Sequence, residues 1–271
     1  MKITVCTIAI NDWYQEIVKY AIENMEAYCK RHGYKFVIDR GNEAEGTVYD
    51  GVRAPTWYKL PLLKKNLPDC DYCVWIDIDA HILKPETKLE DFITRHMISA
   101  DPSKPDKHML FGKEGRSETV LNGGVVFVKN SEYSAKLLDL AWDNTGEGID
   151  PNFHEQAALA NLYTRNVEDM QNNVTVLPHW MQQEFLSYWY MYYPGECFIM
   201  HATRCSHDRE GFIYTLDLFC PFKMREESDA QYADRQDWLT KRERCRGDID
   251  KWLQGKYAPR VPSARNTPGW R

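Results

Sequence analysis

This chain has no apolar run longer than a few residues, far short of the roughly 20 needed to span a bilayer. It has no excess of positive charge: 34 Lys and Arg against 40 Asp and Glu leave a net charge of -6. That removes the basic face a nucleic-acid binder needs, while a small anionic substrate held through a cation stays open. Eight cysteines are present, at Cys6, Cys29, Cys70, Cys73, Cys197, Cys205, Cys220 and Cys245. Cys70 and Cys73 make the single C-x-x-C, so the second pair of a zinc ribbon is missing and the thiols read as reduced and structural. Between Met1 and the strand-like segment Ile3 to Ile10 there is no room for a signal peptide. The expectation is a cytoplasmic protein, with a Golgi-like lumen expected only if an N-terminal anchor has been removed. No internal repeat or low-complexity block appears.

What is there is a globular composition: 271 residues, 43% hydrophobic, enough for one large α/β domain or two small ones. The first run reads as a strand, then Asn11 or Asp12 caps a helix with Ile17, Ala21, Met25 and Tyr28 on its apolar face, and Gly33 ends it. Lys35 to Ile38 reads as a second strand, so the chain opens as a β-α-β unit with a parallel pairing. After a loop over residues 41–55, Trp57, Leu60, Leu63 and Leu67 form a helical stripe that Pro61 weakens or kinks. Tyr72 to Ile76 is a continuous apolar strand of the kind buried on both faces. Pro85 to Arg95 looks helical, and Met109 to Phe111 is a short strand. Leu121 to Val128 reads as a Gly-led turn into a buried strand, followed by a helix capped by Ser131 with Leu137, Leu138, Ala141 and Trp142 inward. A helix begins near Phe153, and Val174 to Leu177 and Cys197 to Met200 are the last strands. The expected organisation is a catalytic domain over residues 1–222, with halves 1–80 and 81–222. A charged helical extension (223–257) and a flexible tail (258–271) follow it.

Chemistry enters at Asp77 and Asp79, where the apolar character of the third strand stops. Open α/β sheets place ligands at the C-terminal ends of their strands. Two carboxylates one residue apart point to one side of an extended chain and can converge on one hard cation, with Ile78 anchored in the core. A bare D-x-D also recurs on surfaces, but a surface pair does not normally follow five apolar residues including Trp75. A phosphatase of the haloacid-dehalogenase type, with Asp77 as nucleophile, shares the pattern. That motif normally opens its domain and continues with Thr or Val, whereas here Ala80 and His81 follow.

Four stretches in order carry a resemblance: Trp57-Tyr58-Lys59 leading to Leu67; Val74 to Ala80 around the two aspartates; Leu121-Asn122-Gly123-Gly124 with the strand and Leu-rich helix after it; and Glu155-Gln156-Ala157-Ala158-Leu159. His201, after an apolar strand, is a fifth feature. Together they resemble the α-glycosyltransferases typified by fungal α-1,2-galactosyltransferases and plant xyloglucan α-1,6-xylosyltransferases. The resemblance implies a GT-A fold: Rossmann-like α/β, with a mixed, mostly parallel central sheet flanked by helices. It implies Mn²⁺, or Mg²⁺ as a substitute, bound by Asp77, Asp79 and His201, with Asp77 contacting the metal or the ribose. It implies a UDP-sugar donor, bound in part by Thr7, Ile8, Lys59, Asp77, Gly123 and Arg204, and a saccharide or glycan acceptor. Asn122, Glu155 and Gln156 would be the catalytic group, with Gln156 under the anomeric carbon and the anomeric configuration retained. The family usually has Asp where Glu155 stands, and a lysine after the His motif where this chain offers Arg204. By themselves, His201 is a strand-end histidine and Gly123 and Gly124 a tight turn.

Trp180, Tyr188, Trp189, Tyr190, Tyr192 and Tyr193 could line an acceptor cleft or simply form core. A sugar-nucleotide-binding module without catalysis is the remaining alternative.

Overall fold

The computed structural model describes residues 1–10, 12–41, 47–113, 121–146, 149, 153–177, 186–188 and 197–201, with backbone only for 12–20 and 186–188. All belong to the first of the two units into which the chain divides, Met1–Phe222. The expected C-terminal extension and tail, Arg204, Trp180, Trp189, Tyr190, Tyr192, Tyr193 and the Asn11 cap lie outside the described residues. The side chains of Ile17 and Tyr188 do too.

The opening unit is β1 (Ile3–Ile8), α1 (Asp12–His32) and β2 (Lys35–Asp39), with β2 parallel to β1. Gly33 ends α1 at φ +73, a left-handed conformation that glycine adopts without a steric penalty. A 3-10 turn over Pro55–Tyr58 leads into α2 (Lys59–Asn66). Pro61 stands in the first turn of α2, where its missing N–H is tolerated. Then come β3 (Tyr72–Ile76), β4 (Ala80–Ile82), α3 (Leu89–His96), β5 (Met109–Gly112), β6 (Asn122–Lys129) and α4 (Glu132–Asp143). They are followed by α5 (His154–Thr164), α6 (Met170–Asn173), β7 (Val174–Leu177), β8 (Leu186–Tyr188) and β9 (Ile199–His201).

Among the described residues six strands form the main sheet in the order β2-β1-β3-β6-β5-β7, and of these β6 alone runs against the others. Strand alternation sorts their side chains into two cores. Cys6, Cys73, Trp75, Phe111 and Val126 pack with Leu60, Leu63, Leu137, Leu138 and Leu159 from α2, α4 and α5. Val5, Val74, Ile76, Leu110 and Phe127 pack on the opposite face with Met25, Tyr28, Phe92 and Ile93 from α1 and α3. A small sheet, β4-β9-β8, adds Ala80, Ile82 and Ile199 to that second core. Among the described residues no helix is long and apolar enough to cross a membrane.

Three expectations are corrected. The segment Pro85–Lys88 is not helical: Lys88 is extended (φ -90, ψ 145), and α3 starts at Leu89 with the Asp91 carboxylate accepting from the Lys88 N–H. Gly123 and Gly124 lie inside β6 rather than in a turn before it, and neither has a positive φ. Asp77 to Asp79 is a turn, closed by the Ala80 N–H donating to the Asp77 carbonyl at 2.9 Å. The two carboxylates therefore converge through the turn and not through the pleat of a strand.

Candidate active site

Because β6 runs against β3, its first residues lie beside the end of β3: Ile76 is opposite Val125, and the Asp77 N–H donates to the Gly124 carbonyl at 2.7 Å. Asn122, Gly123 and Gly124 thus come next to Asp77 although 45 residues separate them. The small sheet supplies the other side, since β9 pairs with β4 so that Ala80 is opposite His201. The three expected metal ligands meet here. One ligand atom from each of Asp77, Asp79 and His201 lies within 4.8 Å of the others. His201 Nε2 is 3.1 Å from Asp79 Oδ1 and 3.5 Å from Asp77 Oδ2.

Asp77 is held from the opposite layer. Its Oδ1 accepts from the Trp75 indole N–H, two residues back on the same face of β3, and meets Lys59 Nζ at 3.2 Å. Lys59, at the start of α2, is buried, with its ammonium also donating to the Gly123 carbonyl (2.6 Å) and Glu155 Oε1 (2.7 Å). It lies 5.2 Å from the centre of the Trp75 ring. Gln156, next to Glu155 on α5, accepts the Gly123 N–H through Oε1 at 2.8 Å and lies 3.4 Å from Asn122 Nδ2. Asn122 Oδ1 accepts the Gly124 N–H at 2.9 Å.

Burial alone would raise the Asp77 carboxyl, but Lys59 and His201 outweigh it and hold the group well below the carboxylate range. Burial would lower His201, but Asp79 and Asp77 outweigh it and carry the imidazole up to about 10. Lys59 is likewise raised, as Asp77 and Glu155 overcome its burial. His81, wholly buried on β4, is pushed down to about 3 by burial and then by His201. Without a metal, then, a protonated His201 bridges two carboxylates.

The donor chemistry fits a divalent ion: two hard carboxylate oxygens and one imidazole nitrogen suit Mn²⁺, with Mg²⁺ acceptable. Partners behind Asp77 fix its orientation, as second-layer hydrogen bonds do at metal sites.

Thr7 and Ile8, expected at the donor, are buried at the C-terminal end of β1, the strand next to β3. Lys59 is present as expected but spends its hydrogen bonds on protein groups. Glu155 faces Lys59 and is 3% exposed. The Trp75 N–H, the whole of β4 and the loop anchor Asp39 were not anticipated. Asp39, buried at the end of β2, accepts from the Gly41 N–H, the Thr47 hydroxyl and the Val48 N–H at 2.6 to 2.9 Å. An Asp ending an apolar strand two residues before a glycine was the available signal for it.

The sequence model of the galactosyl transferase GMA12/MNN10 family matches residues 2–211, which include every residue of this cluster. The chain belongs to that family. Curated relatives of this GMA12/MNN10 member include a probable α-1,6-mannosyltransferase of Saccharomyces cerevisiae, 28% identical over 45% of this chain and 36% of the relative. An α-1,2-galactosyltransferase of Schizosaccharomyces pombe is 24% identical over 52% of this chain and 44% of its own length. Xyloglucan 6-xylosyltransferase 4 of Arabidopsis thaliana is 27% identical over 52% and 25%. The matches therefore span less than half of each of these relatives. Among solved structures, a glycosyltransferase involved in glycosylation of the major capsid of PBCV-1 superposes with a TM-score of 0.60 at 15% identity, covering 79% of this chain and 98% of that one. The fold is GT-A, with the mixed, mostly parallel sheet described above.

Proposed function

We propose that this GMA12/MNN10 member is a metal-dependent glycosyltransferase that moves a hexose or pentose from a UDP-sugar to a saccharide acceptor with retention of configuration, its catalytic domain being residues 1–222. The observation that carries this reading is the convergence of Asp77, Asp79 and His201 within 4.8 Å at the C-terminal edge of the sheet. When bound there, a divalent ion supplies positive charge against the diphosphate as it leaves. Asp79 and His201 are assigned as direct ligands, with Asp77 contacting the ion or the ribose.

Gly123, Asn122 and Gln156 form one bonded wall beside that position, which suits them to orient the donor sugar. Front-face departure is favoured. In it the acceptor oxygen bonds to the anomeric carbon, the bond from that carbon to the phosphate oxygen breaks, and the acceptor's proton passes to that phosphate oxygen. Glu155 supports this route over a covalent intermediate, because its carboxylate is buried and engaged by Lys59. Trapping a glycosyl adduct on Glu155 that turns over would overthrow the front-face assignment.

The test is Mn²⁺-dependent hydrolysis of a UDP-sugar panel by the wild type and by Asp79→Ala. Turnover that needs the metal and drops at least about 100-fold in the variant supports the reading. Binding of UDP-sugars without metal and without turnover on any donor means a binding module, and release of phosphate from simple monoesters means that Asp77 acts as a nucleophile.

A further inference from the structure

We propose that Gly124 is a positioning residue for His201: the missing side chain at this position is what admits the imidazole to the metal site. The claim deepens the metal-dependent reading above and rests on it for the ion, though not for the geometry.

The two consecutive glycines of β6 face opposite ways, as strand neighbours do. A Cβ on Gly123 would lie 3.3 Å from Lys59 Nζ and 3.6 Å from Gln156 Cβ, close but with the flexible end of a lysine as the nearest atom. A Cβ on Gly124 would lie 2.2 Å from His201 Cε1 and 2.5 Å from His201 Nδ1, and 3.0 Å from Asn122 Oδ1. The imidazole thus occupies the space that any side chain at Gly124 would fill. Neither backbone can readily retreat. Gly124 donates its N–H to Asn122 Oδ1 and accepts the Asp77 N–H at its carbonyl, which ties this part of β6 to the turn after β3. His201 is fixed opposite Ala80 by β4 and beside Tyr188 by β8. The ring itself must therefore move. Reaching the 3.4 Å of ordinary contact requires a shift of about 1.2 Å, enough to take Nε2 out of its 3.1 Å approach to Asp79. Close approach of a side chain, rather than a turn or a left-handed φ, is the reason for glycine here.

The experiment compares wild type, Gly124→Ala, His201→Ala and the Gly124→Ala/His201→Ala double variant by calorimetric titration with Mn²⁺ alone. A metal-free crystal structure of Gly124→Ala accompanies it. Expected is binding by Gly124→Ala weaker than wild type by about 10–100-fold, the range for disturbing the support of a ligand. The double variant should bind no more weakly than the weaker of its two singles. In the crystal, the His201 ring should be displaced by about 1 Å or more. Binding by Gly124→Ala within twofold of wild type, fully additive losses in the double variant, or an unmoved ring would each overturn the proposal. If wild type binds no Mn²⁺, the metal reading fails, and the crystal structure alone then decides whether Gly124 places His201.

Discussion

Replacing Lys59 with Met keeps most of the apolar stem and removes an ammonium that meets Glu155 at 2.7 Å inside the protein. The side chains of Lys59 and Glu155 are 2% and 4% exposed, so water cannot take over the lost contact. Glu155 Oε1 loses its partner, and Oε2 has no hydrogen bond among the described residues. The carboxylate must then stay ionised in a dry site, at several kcal/mol, or take up a proton. Proton uptake sets the ceiling. Each pH unit above the ordinary glutamic acid value near 4.3 costs about 1.4 kcal/mol, which is about 4 kcal/mol at pH 7. Asp77 adds little because its side chain is 29% exposed and water can solvate it. For a protein of this size, about 4 kcal/mol lowers the melting temperature by on the order of 10 °C.

The pH dependence has a definite sign. Because the penalty is that of protonating a carboxylate, it vanishes near the ordinary value of 4.3 and grows by about 1.4 kcal/mol for each unit that pH rises above it. The gap between wild type and Lys59→Met should therefore be wide at pH 8 and narrow at pH 5. Adding Glu155→Gln removes the stranded carboxylate and should restore much of the loss at pH 7. Urea unfolding of the three proteins from pH 5 to 8 provides the measurement. A Lys59→Met protein within about 1 kcal/mol of wild type at pH 7, or a gap equal at pH 5 and 8, would refute the reasoning.

Two further outcomes follow from the site's surroundings. His201 is held up to about 10 by Asp79 and Asp77 against its burial, so an entering Mn²⁺ must displace its proton. Mn²⁺ affinity should rise about tenfold per unit from pH 6 to 8, with about one proton released per ion in calorimetry run in two buffers of different ionisation heat; a flat profile counts against the assignment. In metal-free protein the same raised group contributes stability that is full below the ordinary histidine value of 6.5 and is lost as pH rises through about 10. Asn24→Ala removes an amide that donates to the Ile82 carbonyl (3.1 Å) and accepts the Ile82 N–H (2.9 Å). Two buried backbone groups lose their partner, costing about 2–4 kcal/mol. Since β4 braces β9, Mn²⁺ affinity should fall as well; a loss under about 0.5 kcal/mol by urea unfolding would show that β4 does not depend on Asn24.

What the sequence made legible depended on how local each signal was. The strand Tyr72–Ile76 is apolar at every position because helices cover one face and α1, α3 and the small sheet cover the other, and that pattern can be read without knowing what does the covering. Ser131 announces α4 through one contact three residues ahead, the Ser134 N–H at 3.1 Å. The site is different in kind. Lys59, Asp77, Gly123 and Glu155 are joined through one ammonium although 96 residues separate the first from the last. No spacing rule encodes that junction; it exists because the one reversed strand brings its beginning to the end of β3. The resemblance supplied the residues of this cluster but not the contacts among them. Lys59, expected at the donor, is surrounded by protein acceptors, and Gly124, expected near the donor sugar, lies against the His201 ring. In each case the residue type alone fits several surroundings, and its neighbours lie across the sheet rather than along the chain. β4 escaped notice for the opposite reason: three residues long, it is too short to show a period, and its edges are completed by Asn24 from α1 and by β9, 117 or more residues later.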